Sequence, residues 1–131
     1  AWGGGRARAG RGWGGGGRAG ARGKEVVRGV RRYGPGKSRV SVLVTYARGA
    51  KSPPHRHAGS SFIYAYVLSG AIRSRMGEGA LELYRAGESW FEPPGARHSV
   101  SENASDVEPA SLLAVFVVDT SEEELTRPDL E

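Results

Sequence analysis

Cysteine is missing from all 131 residues. Without a thiol there is no disulfide framework, thiolate metal site, iron–sulfur ligation or cysteine nucleophile, so a metal or catalytic site has to be built from His, carboxylate, hydroxyl or backbone groups. Long hydrophobic runs are missing too. The longest, Leu112 to Val118, is far shorter than the roughly 20 residues of a membrane helix, and no apolar stretch near the N-terminus has the form of a signal peptide. A soluble, cytoplasmic protein with no membrane partner is expected, and the length leaves room for one domain.

Acidic residues are nearly missing from the first part of the chain. Residues 1–39 hold 11 of the 19 basic side chains and one acid, Glu25, a net of +10; residues 40–131 hold 8 basic and 13 acidic, a net of −5, and together these give the overall +5. The basic pI therefore belongs to the N-terminal region, and the bulk of the chain does not present a nucleic-acid footprint. Residues 1–23 use four residue types only, Gly, Ala, Arg and Trp. Such a segment cannot offset its ordering entropy by burying apolar surface, so it reads as a disordered leader, with weak RNA contact or an organelle address as alternatives.

From Val26 onward the pattern is that of strands. Val40 to Tyr46 is β-branched and alternating, and Phe62 to Leu68 carries Phe62, Tyr64, Tyr66 and Leu68 on one face with Ile63, Ala65 and Val67 on the other, which suggests a central strand. Ala71 to Met76, Leu81 to Tyr84, Ser89 to Glu92, His98 to Ser101 and Ser111 to Val118 follow, separated by Gly- and Pro-rich turns. Short strands at this density imply an all-β sandwich or barrel over about residues 24–120. Thr120 to Leu125 predicts a short helix capped by Ser121 with Glu124 three residues on, in a polar tail over residues 121–131. Gly34-Pro35-Gly36-Lys37-Ser38 lacks the spacing of a phosphate loop and reads as a turn.

The chemistry lies in the three histidines. His55 and His57 flank Arg56, so on an extended backbone both imidazoles leave one face, and the turn Pro93-Pro94-Gly95-Ala96-Arg97 delivers His98 from a distant strand. Two imidazoles on one face are half of a metal site, although two exposed strand histidines would give the same pattern. In Gly49-Ala50-Lys51-Ser52-Pro53-Pro54-His55-Arg56-His57, closing at Gly70, and in Gly87, Pro93, Gly95 and His98, with Asn103 one position late, the chain resembles the cupin superfamily, whose two motifs are G(X)5HXH(X)3–4E(X)6G and G(X)5PXG(X)2H(X)3N.

The resemblance spans about Val40 to Val118. It implies a cupin jelly-roll barrel with His55, His57 and His98 as ligands of a divalent metal ion, Fe first, with Zn, Mn, Ni and Cu as alternatives. The sequence departs from the motif where a glutamate belongs: Ser60-Ser61-Phe62-Ile63 stands there, without a carboxylate. Glu92 and Glu102 are the substitutes nearest in sequence, Glu92 with the alternation of an outward residue.

A three-histidine centre of this family implies a dioxygenase-like oxidoreductase acting on a small chelating or anionic substrate. The alternative is a non-catalytic module for a small molecule or sugar, with or without metal. Tyr64 and Tyr66 are candidate pocket hydroxyls with catalytic roles, and Arg97, with Arg73 and Arg75 behind it, could receive an anion. A homodimer formed through sheet edges or by exchange of N-terminal strands such as Glu25 to Val30 is also expected.

Overall fold

The computed structural model describes residues 21–29, 36–122 and 124–128. Among the described residues there are eleven strands: β1 (Ala21–Gly29), β2 (Lys37–Tyr46), β3 (Lys51–Ser52), β4 (His55–His57), β5 (Phe62–Ser69), β6 (Ala71–Met76), β7 (Glu82–Arg85), β8 (Ser89–Glu92), β9 (Arg97–Asn103), β10 (Ala110–Asp119) and β11 (Thr126–Pro128). They form two antiparallel sheets, one in the order β1-β2-β10-β5-β8 and the other in the order β11-β4-β9-β6-β7, with β3 also paired to β9. The strands read from alternation are all present.

Period-two burial explains why these segments are strands. In β2 the inward residues are Ser38, Val40, Val42, Val44 and Tyr46, and in β10 they are Ala110, Leu112, Ala114, Phe116 and Val118. Each large aliphatic side chain buried this way stabilises the fold by about 1.5–3 kcal/mol relative to exposure. The first sheet thus contributes an apolar wall. The second faces it with a mostly polar set, including His55, His57, Ser74, His98 and Ser101, beside Ile72.

Two glycines position the strands that carry the histidines. Gly70, at φ 71°, joins β5 to β6, and a Cβ there would lie 2.8 Å from the Pro109 carbonyl oxygen. Gly95, at φ 72°, forms the turn after Pro93-Pro94, closed by the Ala96 amide donating to the Pro93 carbonyl (3.1 Å), and from it β9 departs.

Three expectations change. Among the described residues there is no helix: Thr120 and Ser121 lie in a turn, and the chain then extends as β11 along β4, Thr126 opposite His57. Pairing to the β4 edge holds this backbone extended, while the single apolar side chain, Leu125, packs on the core and its carbonyl accepts from the Ala58 amide (3.2 Å). One apolar residue per turn could not anchor a helix against that. Secondly, β5 is central in its sheet, between β10 and β8, yet the face carrying Phe62, Tyr64, Tyr66 and Leu68 is 38–48% exposed. Thirdly, β1 begins at Ala21, inside the stretch read as leader, and pairs with β2 of its own chain; residues 1–20 lie outside the described residues, as do Gly34 and Pro35 of the turn that leads into β2.

Candidate metal centre

The two faces of β4 separate its side chains as the spacing requires: His55 and His57 are buried and Arg56 is exposed. β4 pairs with β9 in a register that puts His55 opposite His98, so the third imidazole arrives beside the first two. Ring centroids are 4.8 Å apart for His55–His57, 5.0 Å for His55–His98 and 6.3 Å for His57–His98. One ring nitrogen from each lies within 4.8 Å of the others. Three donors about 2.1 Å from one ion stand about 3.0–3.4 Å apart, so the three rings are close enough to converge on a single ion by moving inward.

Each ring is held from behind. His55 Nδ1–H donates to the Pro53 carbonyl (2.8 Å), which fixes the neutral tautomer with its lone pair on Nε2. His57 Nδ1 is 3.2 Å from Thr126 Oγ1 of β11, and His98 Nε2 is 2.7 Å from Ser74 Oγ of β6. Burial, then the neighbouring imidazoles of His98 and His57, push His55 down to about 4, so this ring is neutral and able to ligate at pH 7.

A fourth group reaches the cluster from the opposite sheet. Glu92, at the end of β8, is 2% exposed, with Oε2 3.0 Å from His57 Nε2 and Oε1 2.9 Å from His98 Nδ1. Trp90 Nε1–H points to the same Oε1 at 3.4 Å. Burial alone would raise this carboxyl; the contacts with His57 and His98 outweigh it and hold the group ionised, well below the usual carboxylate range. Above the four side chains lies a cavity of about 40 Å³, with Val42, Ile63, Leu112 and Phe116 among its walls. At roughly 10–15 Å³ per water, it holds an ion's few remaining small partners rather than a large ligand.

The sequence profile of the cupin domain matches residues 42–116, more than half of the chain. The chain belongs to the cupin superfamily. No curated protein matches it. Among solved structures it resembles an uncharacterized conserved protein with a double-stranded β-helix domain from Klebsiella pneumoniae (TM-score 0.64, 18% identity, 82% of this chain and 83% of that one). It also resembles an RmlC-like cupin from Shewanella frigidimarina (TM-score 0.56, 18% identity, 79% and 81%) and oxalate decarboxylase from Bacillus subtilis (TM-score 0.65, 24% identity, 83% and 28%). It thus spans under a third of the decarboxylase.

In this cupin the residues fit a divalent ion on their own evidence. His57 Nε2 is buried without a hydrogen-bond partner. Glu92 Oε2 is close, but not aligned as an acceptor, and a buried nitrogen left in that state costs free energy unless something else takes its lone pair.

The other sequence-predicted residues fall elsewhere. Tyr64 and Tyr66 project from the outer face of β5, 44% and 38% exposed, and do not line the cavity, because inward parity in that strand belongs to Ile63, Ala65 and Val67. Arg97 alternates with inward His98 and lies 3.7 Å from Glu78, Arg73 pairs with Glu102 (2.9 Å), and Arg75 donates to Ser99 Oγ (3.1 Å); none lines the cavity. Glu102 is therefore a surface ion-pair partner, whereas Glu92 faces in, against its expected orientation. Ser61, at the place of the missing motif glutamate, is fully buried with an unpartnered hydroxyl. Asn103 is structural: its amide donates to the carbonyls of Ala47 (3.1 Å) and Glu108 (2.7 Å).

Sequence reasoning missed Tyr46 as the pocket's phenol. It is 3% exposed, lines the cavity and has its hydroxyl on Ser101 Oγ (2.7 Å) and Ser52 Oγ (3.2 Å); burial raises its pKa, which keeps it protonated. The signal was present in the strand parity that Tyr46 shares with Val40, Val42 and Val44.

Proposed function

We propose that this cupin is a mononuclear metal enzyme that uses dioxygen to oxidise a small chelating anion, with iron as the leading metal. The reading is carried by three buried imidazoles converging within 4.8 Å, one with an unpartnered nitrogen, beneath an apolar-walled cavity. A divalent ion bound there supplies a Lewis acid and a template for the substrate. The chain does the rest. His55, His57 and His98 hold the ion, with Pro53, Thr126 and Ser74 orienting their rings. Val42, Ile63 and Phe116 exclude water and strengthen every electrostatic contact in the pocket. The Tyr46 hydroxyl is the wall's polar handle for a substrate oxygen.

The substrate class follows from space and charge. A cavity of about 40 Å³ suits a few heavy atoms better than a sugar ring, which weighs against the sugar-binding alternative. The similarity to a protein named oxalate decarboxylase adds small dicarboxylates to small diketones and thiols as candidates, and the same space argument weighs against phenolic diols. A homodimer in the cytoplasm belongs to the same reading; the apolar outer face of β5 and β8, where Phe62 stacks on Phe91 at 6.0 Å, supports an interface there.

The test is metal analysis of protein purified without an affinity tag, then oxygen uptake by the iron-loaded form with these substrates. About one metal per chain, lost in His57→Ala, and substrate-dependent oxygen consumption are expected. If the metal binds but only a zinc or manganese form turns over, decarboxylating or isomerising a substrate without oxygen, the dioxygenase reading fails.

A further inference from the structure

The first motif of this chain lacks its carboxylate, yet a carboxylate is found among the histidines. We propose that Glu92, supplied by β8 from the opposite side of the barrel, is the fourth protein ligand of the metal, replacing the motif glutamate that Ser61 and Phe62 displaced. This inference rests on the metal-binding reading above and assigns the site a net charge one unit less positive than three imidazoles would give.

Ile63 of β5 pairs with Glu92 of β8, so the motif position and the substitute carboxylate lie on neighbouring strands of one sheet. A glutamate side chain reaching inward from β8 thus enters the barrel from the strand beside the one that follows the motif position, where Ser61 is buried with an unpartnered hydroxyl. Glu92 is 2% exposed, so it has no solvent role, and its inward neighbour on β8 is Trp90, whose indole also points to the carboxylate.

Its spacing to two of the rings, His57 and His98, is that of shared ligation. Two donors about 2.1 Å from one ion and at right angles stand about 3.0 Å apart. Glu92 Oε2 and His57 Nε2 are 3.0 Å apart without an aligned hydrogen bond; in the metal-free chain this is an ion-pair contact, and at that separation both atoms reach one ion once the ring nitrogen is deprotonated. Glu92 Oε1 and His98 Nδ1 are 2.9 Å apart, and when Ser74 Oγ accepts from His98 Nε2–H the Nδ1 lone pair also faces that space. A purely orienting carboxylate would sit behind a ring, as the Pro53 carbonyl does behind His55. Glu92 instead lies between two rings, on the side where they converge.

With one carboxylate and three neutral imidazoles, a divalent ion keeps one uncompensated positive charge, which a singly charged substrate group neutralises. Among the candidate substrates, this ranks a monoanion, such as an enolate or a monocarboxylate with an adjacent oxygen, ahead of a dicarboxylate dianion.

Glu92→Gln keeps the shape and removes the charge. Cobalt(II) affinity, measured by competition with a chromophoric chelator, should fall by roughly 100-fold or more, beyond the roughly 10- to 100-fold that losing an outer orienting partner costs. The cobalt d–d spectrum of the variant should also change in position and intensity, which an outer-sphere role would not require. The wild type, crystallised with cobalt, should show an anomalous peak within bonding distance of the Glu92 carboxylate; this reading does not depend on the variant folding. A wild type that binds no metal overturns the metal-binding reading itself. A wild type that binds metal, with an unchanged spectrum in Glu92→Gln or a peak bonded to the histidines alone, overturns only the assignment of Glu92.

Discussion

Tyr46→Phe, set against Tyr64→Phe and Tyr66→Phe, tests which phenols belong to the interior. Each change removes one oxygen and leaves ring and shape in place, so any difference in stability reports on the hydroxyl alone. At Tyr46 that hydroxyl is buried and bonded to Ser101 and Ser52. Two hydrogen bonds contribute about 0.5–1.5 kcal/mol each, and Ser101, 4% exposed, is left with an unpartnered hydroxyl in the core. Removal of the buried phenol oxygen itself recovers some of this by relieving desolvation, which leaves a net loss of about 2 kcal/mol. The outer-face tyrosines should cost less than about 0.5 kcal/mol, as surface substitutions do. Urea denaturation of metal-free protein at pH 7.5 resolves the difference: with a slope of about 1–3 kcal/mol per molar, the Tyr46→Phe midpoint should fall by about 1 M while the other two stay within error. A loss at Tyr64→Phe or Tyr66→Phe equal to that at Tyr46→Phe would overturn the assignment of the two faces of β5.

The metal-free protein should also lose stability on mild acidification. His55 binds its proton at about 4 in the folded state against 6.5 when unperturbed, so its contribution is complete above pH 6.5 and drains away as the pH falls toward 4, about 2 kcal/mol by pH 5 and about 3 kcal/mol in all. Glu92, held low by His57 and His98 against its burial, adds a loss of the same sign below the ordinary carboxylate range; a denaturation midpoint that stays level from pH 7.5 to 5 would contradict the burial of His55. For the homodimer, light scattering at high micromolar concentration should return twice the chain mass, and Phe91→Lys, placing a charge on a side chain 66% exposed beside Phe62, should return the single-chain mass without lowering the melting temperature. A monomeric parent protein would remove the interface.

Much of the fold and the centre follows from local sequence, because both rest on period-two alternation. The spacing of His55 and His57 puts both imidazoles on one face whichever way the strand packs, and the Pro93-Pro94-Gly95 turn sends the chain into the strand that carries His98. In β2 only one parity is apolar from Val40 to Tyr46, so its inner face, ending at Tyr46, was legible. Where both parities are apolar or mixed, sequence cannot choose: Phe62, Tyr64 and Tyr66 are as hydrophobic as Ile63, Ala65 and Val67, and in Ser89-Trp90-Phe91-Glu92 each parity holds one aromatic and one polar residue. Only the pairing of Ile63 with Glu92 turns that carboxylate inward. The C-terminal segment differs for a related reason, since a weak local helix signal yields to backbone bonds with β4, a partner some seventy residues away. Side-chain periodicity is a property of the chain itself, whereas the face that is buried and the strand that is paired are set by long-range contacts, and in this protein those contacts decided where the fourth polar group of the centre comes from.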